Sequence, residues 1–72
     1  MFRYLPIKEN LRSDELGTYI SYGIKAFDTA SREIMFVHDV SLNEALVTEL
    51  CRSCTLHQLH PIHLLDVIED NI

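Results

Sequence analysis

The spacing of apolar residues changes once along this chain, from a period of about two before residue 40 to about 3.6 from Ser41 onward. Strands come first and helices follow, so the economical arrangement is an α+β fold with one sheet face covered by helices. The clearest alternation runs from Thr18 to Phe27. It sets Ile20, Tyr22, Ile24 and Ala26 on one face and Tyr19, Ser21, Gly23, Lys25 and Phe27 on the other.

Two further strands flank that one. Phe2 to Leu11 mixes aromatic and branched residues, and Pro6 restricts it to a sheet edge or a bulge. The polar stretch from Arg12 to Glu15 leads through Leu16 to Gly17, whose freedom at positive φ suits a hairpin turn. Asp28 to Ser31 forms a second turn, and Glu33 to His38 a third strand. Short connections between sequential strands predict an antiparallel meander.

Ser41-Leu42-Asn43-Glu44 fits a capping box and predicts a helix starting there. Its apolar side is Leu46, Val47, Leu50, Cys51 and Cys54. His57 to His60 breaks it, and Pro61 is well placed to open a second helix. That helix carries Leu64, Leu65, Ile68 and Ile72 on its apolar side and His63, Asp66, Glu69 and Asp70 on its polar side. The expected order is βββαα: a three-stranded antiparallel meander followed by two C-terminal helices, in a single domain spanning residues 1–72.

Size now matters. A 72-residue chain that is 47% apolar can fold, but domains of this length bury only about 60% of their unfolded surface and rarely retain more than ~3–5 kcal/mol from one core. Self-association or a bound metal would help. Six basic residues against eleven acidic ones leave a net charge of −5, which opposes nucleic-acid binding. Beyond residue 40 only Arg52 stands against Glu44, Glu49, Asp66, Glu69 and Asp70, so a steered partner should be basic. No apolar run approaches a membrane span, the N-terminus lacks a secretory pattern, and two cysteines three apart make no disulfide framework. A cytoplasmic protein is expected, with no membrane or nucleic-acid partner.

Cys51, Cys54, His57, His60 and His63 form the sharpest chemical pattern. Zinc takes four such ligands, and residues three apart are neighbours on a helix. This is the alternative reading, a small zinc-binding structural or regulatory domain. Packing is the preferred account, because both cysteines already lie on the apolar face and zinc modules usually draw ligand pairs from separated segments. A redox role for the C-x-x-C pair is disfavoured near a helix C-terminus, where the dipole opposes a thiolate. The histidines lack a nucleophile in a persuasive context, His38 reads as a strand-edge polar residue, and the isolated glycines make no phosphate loop. No catalytic residue and no cofactor is assigned.

Tyr22-Gly23-Ile24 in the second strand, Asp39-Val40-Ser41 before the first helix and the ending from His63 to Ile72 together resemble a family of short, uncharacterised proteins of clostridia-like Gram-positive bacteria. The resemblance spans roughly residues 18 to 72. It supports the fold, carries over no assigned activity, cofactor or catalytic residue, and leaves the function open.

One surface stands out. If Ile20, Tyr22 and Ile24 meet the helices, the opposite face carries Tyr19 and Phe27, joined by Phe2 or Tyr4 and by one parity of Ile34-Met35-Phe36-Val37. A residual apolar patch marks a partner site. The reading is therefore a non-enzymatic interaction or regulatory module. It binds a protein partner or a second copy through Tyr4, Tyr19, Phe27 and Met35, or through the acidic row Asp66, Glu69 and Asp70.

Overall fold

The alternation is realised as three strands, β1 (Arg3–Ser13), β2 (Gly17–Phe27) and β3 (Glu33–Ser41), in a computed structural model that describes residues 1–72. They form one antiparallel meander in the order β1-β2-β3, so β1 is an edge strand and accommodates Pro6. The β1–β2 register runs unbroken from Arg3↔Phe27 to Ser13↔Gly17. Gly17 closes that hairpin at φ 69°, where a side chain would be strained. In the second turn the Asp28 carboxylate accepts from the N–H groups of Ala30 and Arg32 at 2.9 and 3.0 Å. The β2–β3 pairing is regular only between Ile24↔Val37 and Ala26↔Met35, with an irregularity at each end.

Two helices follow, α1 (Glu44–Leu56) and α2 (Leu64–Asn71), separated by one 3₁₀ turn at Pro61–His63. The cap of α1 is Asn43, not Ser41. Asn43 Oδ1 accepts from the Leu46 N–H at 3.2 Å, whereas Ser41 is held in β3 opposite Tyr22 and its Oγ accepts from the Asn43 N–H. Asparagine caps as well as serine, so pairing of Ser41 with the sheet decides where the helix starts. Pro61 opens the 3₁₀ turn, in which His60 Nδ1 accepts from the Ile62 N–H, and the α-helix proper waits until Leu64.

α1 ends in a Schellman arrangement. Leu59 N–H donates to Cys54 O at 3.0 Å and Gln58 N–H to Thr55 O at 3.2 Å, with Gln58 left-handed at φ 51°. The core lies between the sheet and α1: Tyr4, Ile24 and Ala26 below, Val47, Leu50, Cys51 and Cys54 above, closed by Leu64. At its C-terminal end α1 meets Tyr4 through Thr55, and at its N-terminal end Glu44 meets the Tyr22 hydroxyl. A 13-residue helix spans about 20 Å and an 11-residue strand about 35 Å, so α1 covers only the proximal half of the β1–β2 hairpin. Ile20 has the parity expected of a core residue, yet it lies beyond the helix and is 45% exposed.

Candidate functional site

The two edges of the sheet are finished differently. On the outer side of β1, Tyr4 N–H donates to Thr55 Oγ1 at 3.0 Å, and the Thr55 hydroxyl donates back to Tyr4 O at 3.4 Å. Phe2 N–H donates to Gln58 Oε1 at 2.9 Å, and Gln58 Nε2 donates to Phe2 O at 3.2 Å. The next outward position is Pro6, which has no N–H to offer. Helix side chains and a proline thus close this edge against strand addition.

β3 has no such cover. Because Tyr4 directs its backbone away from β2, the Tyr4↔Ala26 pair exchanges no bonds, and Ala26 bonds Met35 on its other side. Ile24 and Val37 repeat the pattern. The backbone of Phe36 between them therefore points out of the sheet, and no side chain, loop or helix hydrogen-bonds it.

The face away from the helices supports this strand. A Cβ on Gly23 would stand 2.6 Å from Val37 O, 2.9 Å from Glu9 Oε2 and 3.0 Å from Phe36 Cε1, so glycine lets the carboxylate and the ring lie directly on the sheet. Phe36 stacks on His38 at 3.8 Å between centroids, and Lys25 Nζ, paired with Glu33 at 3.1 Å, sits 4.8 Å from its ring. His38 Nδ1–H donates to Glu9 Oε1 at 2.5 Å, and Glu9 Oε2 accepts from the Asp39 N–H at 2.8 Å. Asp39 is left-handed at φ 53°, a conformation costing about 1–2 kcal/mol. Its carboxylate compensates by accepting from Ser21 Oγ at 2.5 Å and from the Tyr19 hydroxyl at 3.0 Å.

The charges follow from these contacts. Burial pushes the Glu9 carboxyl up, but the Asp39 N–H and the His38 ring outweigh it and hold Glu9 below the usual glutamate range. The hydrogen bond to Asp39, helped by desolvation, raises Tyr19. Chemically, the cluster orients an imidazole whose Nε2 is free, but the nearby Ser21 hydroxyl is fully buried and donates to Asp39. The network anchors β3 to β1 and β2.

The predicted contact residues divide. Tyr19 and Phe27 lie on the uncovered face, where the Arg3 guanidinium sits 5.6 Å from the Phe27 ring. Tyr4 and Met35 do not. Tyr4 is a core residue only 3% exposed, its hydroxyl donating to Leu59 O, and burial with the neighbouring Cys54 pushes it up to about 12. Met35 pairs with Ala26 and packs on the helix side, as does Phe2; Phe36 takes the open-face place instead. Asp66, Glu69 and Asp70 are exposed on α2.

The five residues of the zinc alternative are not assembled. Cys51 and Cys54 are free thiols in the core; burial and the neighbouring Cys54 push Cys51 up to about 12, and burial raises Cys54. His57 Nδ1–H donates to Ser53 O at 2.9 Å, His60 caps the 3₁₀ turn, and His63 is exposed. No three histidine, cysteine or acidic side chains converge where a metal ion could be held.

α2 adds a second element beside β3. Val67 and Asn71 line an open cleft of about 260 Å³ against Leu46, Leu50 and Ser53 of α1. Leu46 and Thr55 lie on opposite sides of α1 at 100° per residue, and Thr55 faces β1, so α2 sits on the β3 side. The same arithmetic turns Leu65 and Ile72 away from α1, where they are 53% and 58% exposed.

A family model described as a family of unknown function (DUF6514) matches residues 1–72. Neither the curated proteins nor the solved structures give a match to this chain. No helix is long and apolar enough to cross a membrane.

Proposed function

The chain belongs to the family of unknown function DUF6514, and we propose that it is a non-enzymatic protein-interaction module that accepts a partner strand along β3. The inequality of the two sheet edges carries this reading. Thr55, Gln58 and Pro6 close β1, while the outward backbone of Phe36, at the centre of the exposed stretch of β3, is left unsatisfied by the fold. Strand addition supplies main-chain hydrogen bonds from the edge and specificity from alternate side chains, here Phe36 and its neighbours. Buried, protonated thiols and a buried serine hydroxyl favour binding over chemistry. Free cysteines in the core suit a cytoplasmic protein, and a net charge of −5 disfavours nucleic acid or an anionic membrane as the partner.

The test is site-specific photo-crosslinking in the native host. A benzophenone amino acid at Ile34, on the open edge, is expected to yield a discrete covalent adduct. The same group at Leu56, exposed at the far end of α1, is expected to yield none. An adduct of any mass at Ile34 supports the module; none at Ile34 under conditions of normal expression contradicts it.

A further inference from the structure

We infer that the strand added along β3 is β3 of a second copy of this chain, paired antiparallel about Phe36 to make a six-stranded sheet with all four helices on one face. The inference rests on the reading of β3 as the docking edge.

Each chain has one open edge suited to pairing. β1 is closed from Phe2 to Pro6, and its remaining outward positions carry Lys8 and Arg12 around Asn10, charges that discourage pairing. Association through β3 alone is therefore isologous and closes at two copies without growing into a filament.

The register is self-complementary. Centred on Phe36, the two strands put Phe36 opposite its own equivalent on the open face and Ile34 opposite His38. Met35 then stands opposite Val37 on the helix side. Each is an aromatic or apolar pairing or an apolar–imidazole pairing, the cross-strand contacts that stabilise sheets. Moving the centre to Val37 would set Met35 against Asp39, and moving it to Met35 would set Val37 against Glu33. The pairing irregularities around Met35–Val37 and the left-handed Asp39 limit the usable stretch to Ile34–His38, which pins the register.

Within the paired stretch Ile34–His38 no two charged side chains are opposed. At its ends the same register sets Glu33 of one copy opposite Asp39 of the other, carboxylates already engaged within each chain by Lys25 and by Ser21 and Tyr19. On the helix side the exposed Leu65 and Ile72 share one side of α2, with the exposed Glu69 between them, while Asp66 and Asp70 lie away from that side. The two-fold axis brings these two flanks toward each other and leaves Asp66 and Asp70 in solvent.

Sedimentation equilibrium of the full chain at micromolar concentration is expected to give twice the 8.3 kDa chain mass. An isotope-filtered experiment on mixed labelled and unlabelled chains is expected to show contacts between the two Phe36 rings. Phe36→Lys should give a monomer. Since Phe36 also packs over Gly23, the exposed Leu65→Lys serves as the second variant, expected to weaken self-association about tenfold with unchanged circular dichroism. A wild-type monomer at hundreds of micromolar overturns the inference, as does a dimer without Phe36 contacts. A monomer whose Ile34 position still crosslinks to a different protein removes the second copy while leaving the docking edge standing; a chain that crosslinks to nothing removes both.

Discussion

One hydroxyl, that of Thr55, satisfies both the N–H and the carbonyl of Tyr4, at 3.0 and 3.4 Å. A helix side chain here takes the place of a fourth strand. The contact joins residues 51 positions apart and fixes the C-terminal end of α1 over β1, which leaves β3 as the free edge.

Thr55→Val keeps the side-chain shape and removes the hydroxyl. The part-buried Tyr4 N–H then lacks a partner, at a cost of about 1–3 kcal/mol. Urea denaturation should show that loss, and hydrogen exchange at Tyr4 should accelerate more than at Ile24.

Gln58→Gly sets two effects against each other. Glycine relieves a left-handed residue at φ 51°, while the substitution deletes the amide that bridges Phe2 N–H and O. Overall stability should change by less than ~1 kcal/mol, yet Phe2 should lose its amide protection. A large change in melting temperature with Phe2 still protected would contradict this account of the edge.

Gly23→Ala should be costly although only one methyl is added. The nearest obstacle, 2.6 Å away, is the Val37 carbonyl, which cannot swing aside as a side chain would. A loss of about 1–3 kcal/mol is expected, lowering Tm by about 4–8 °C per kcal/mol in a domain of this size. The His38 and Phe36 ring resonances should shift with it.

Acid should destabilise the protein partly through Glu9. Its folded carboxyl lies below the ordinary value of 4.5, so its contribution is full above that value and is lost as the pH falls through the lower, folded one. Asp28, held down chiefly by the Arg32 N–H, and Glu49, held down by Arg52, act in the same direction. In urea titrations between pH 6 and pH 2, Glu9→Gln should make the acid-side fall shallower without abolishing it.

The thiols should be silent in the folded protein. With Cys51 pushed up to about 12 and both side chains in the core, an aromatic disulfide reagent at pH 8 should label neither until denaturant is added. Rapid labelling of two thiols in the native state would contradict the packing described for α1.

Strand order and helix faces were legible because periods of two and 3.6 survive in the apolar residues from Ile24 to Leu64. The start of α1 was not. Ser41 and Asn43 are both good caps, and only the Ser41 pairing with Tyr22 chooses between them. Ile34-Met35-Phe36-Val37 is apolar on both parities, so nothing local assigns Phe36 rather than Met35 to the open face; the register with Ala26 does. Tyr4 reads as a surface aromatic until its hydroxyl is seen to reach Leu59. The cysteine and histidine spacing that suggested zinc follows from helix packing and from local backbone bonds. Glu9, Ser21 and Asp39 gave no shared signal, since they come together only when three strands align. Thr55 and Gln58 left none either, because their role lies on a strand at the other end of the chain.

The most direct measurement of the central claim is residue-resolved amide exchange across a concentration series, comparing Phe2 and Tyr4 on β1 with Phe36 on β3. Protection at Phe2 and Tyr4 should be independent of concentration, since Gln58 and Thr55 supply their partners within one chain. Protection at Phe36 should rise with concentration as the second β3 docks. Strong protection of Phe36 at the highest dilution, or none at any concentration, would contradict an edge held open for a second copy.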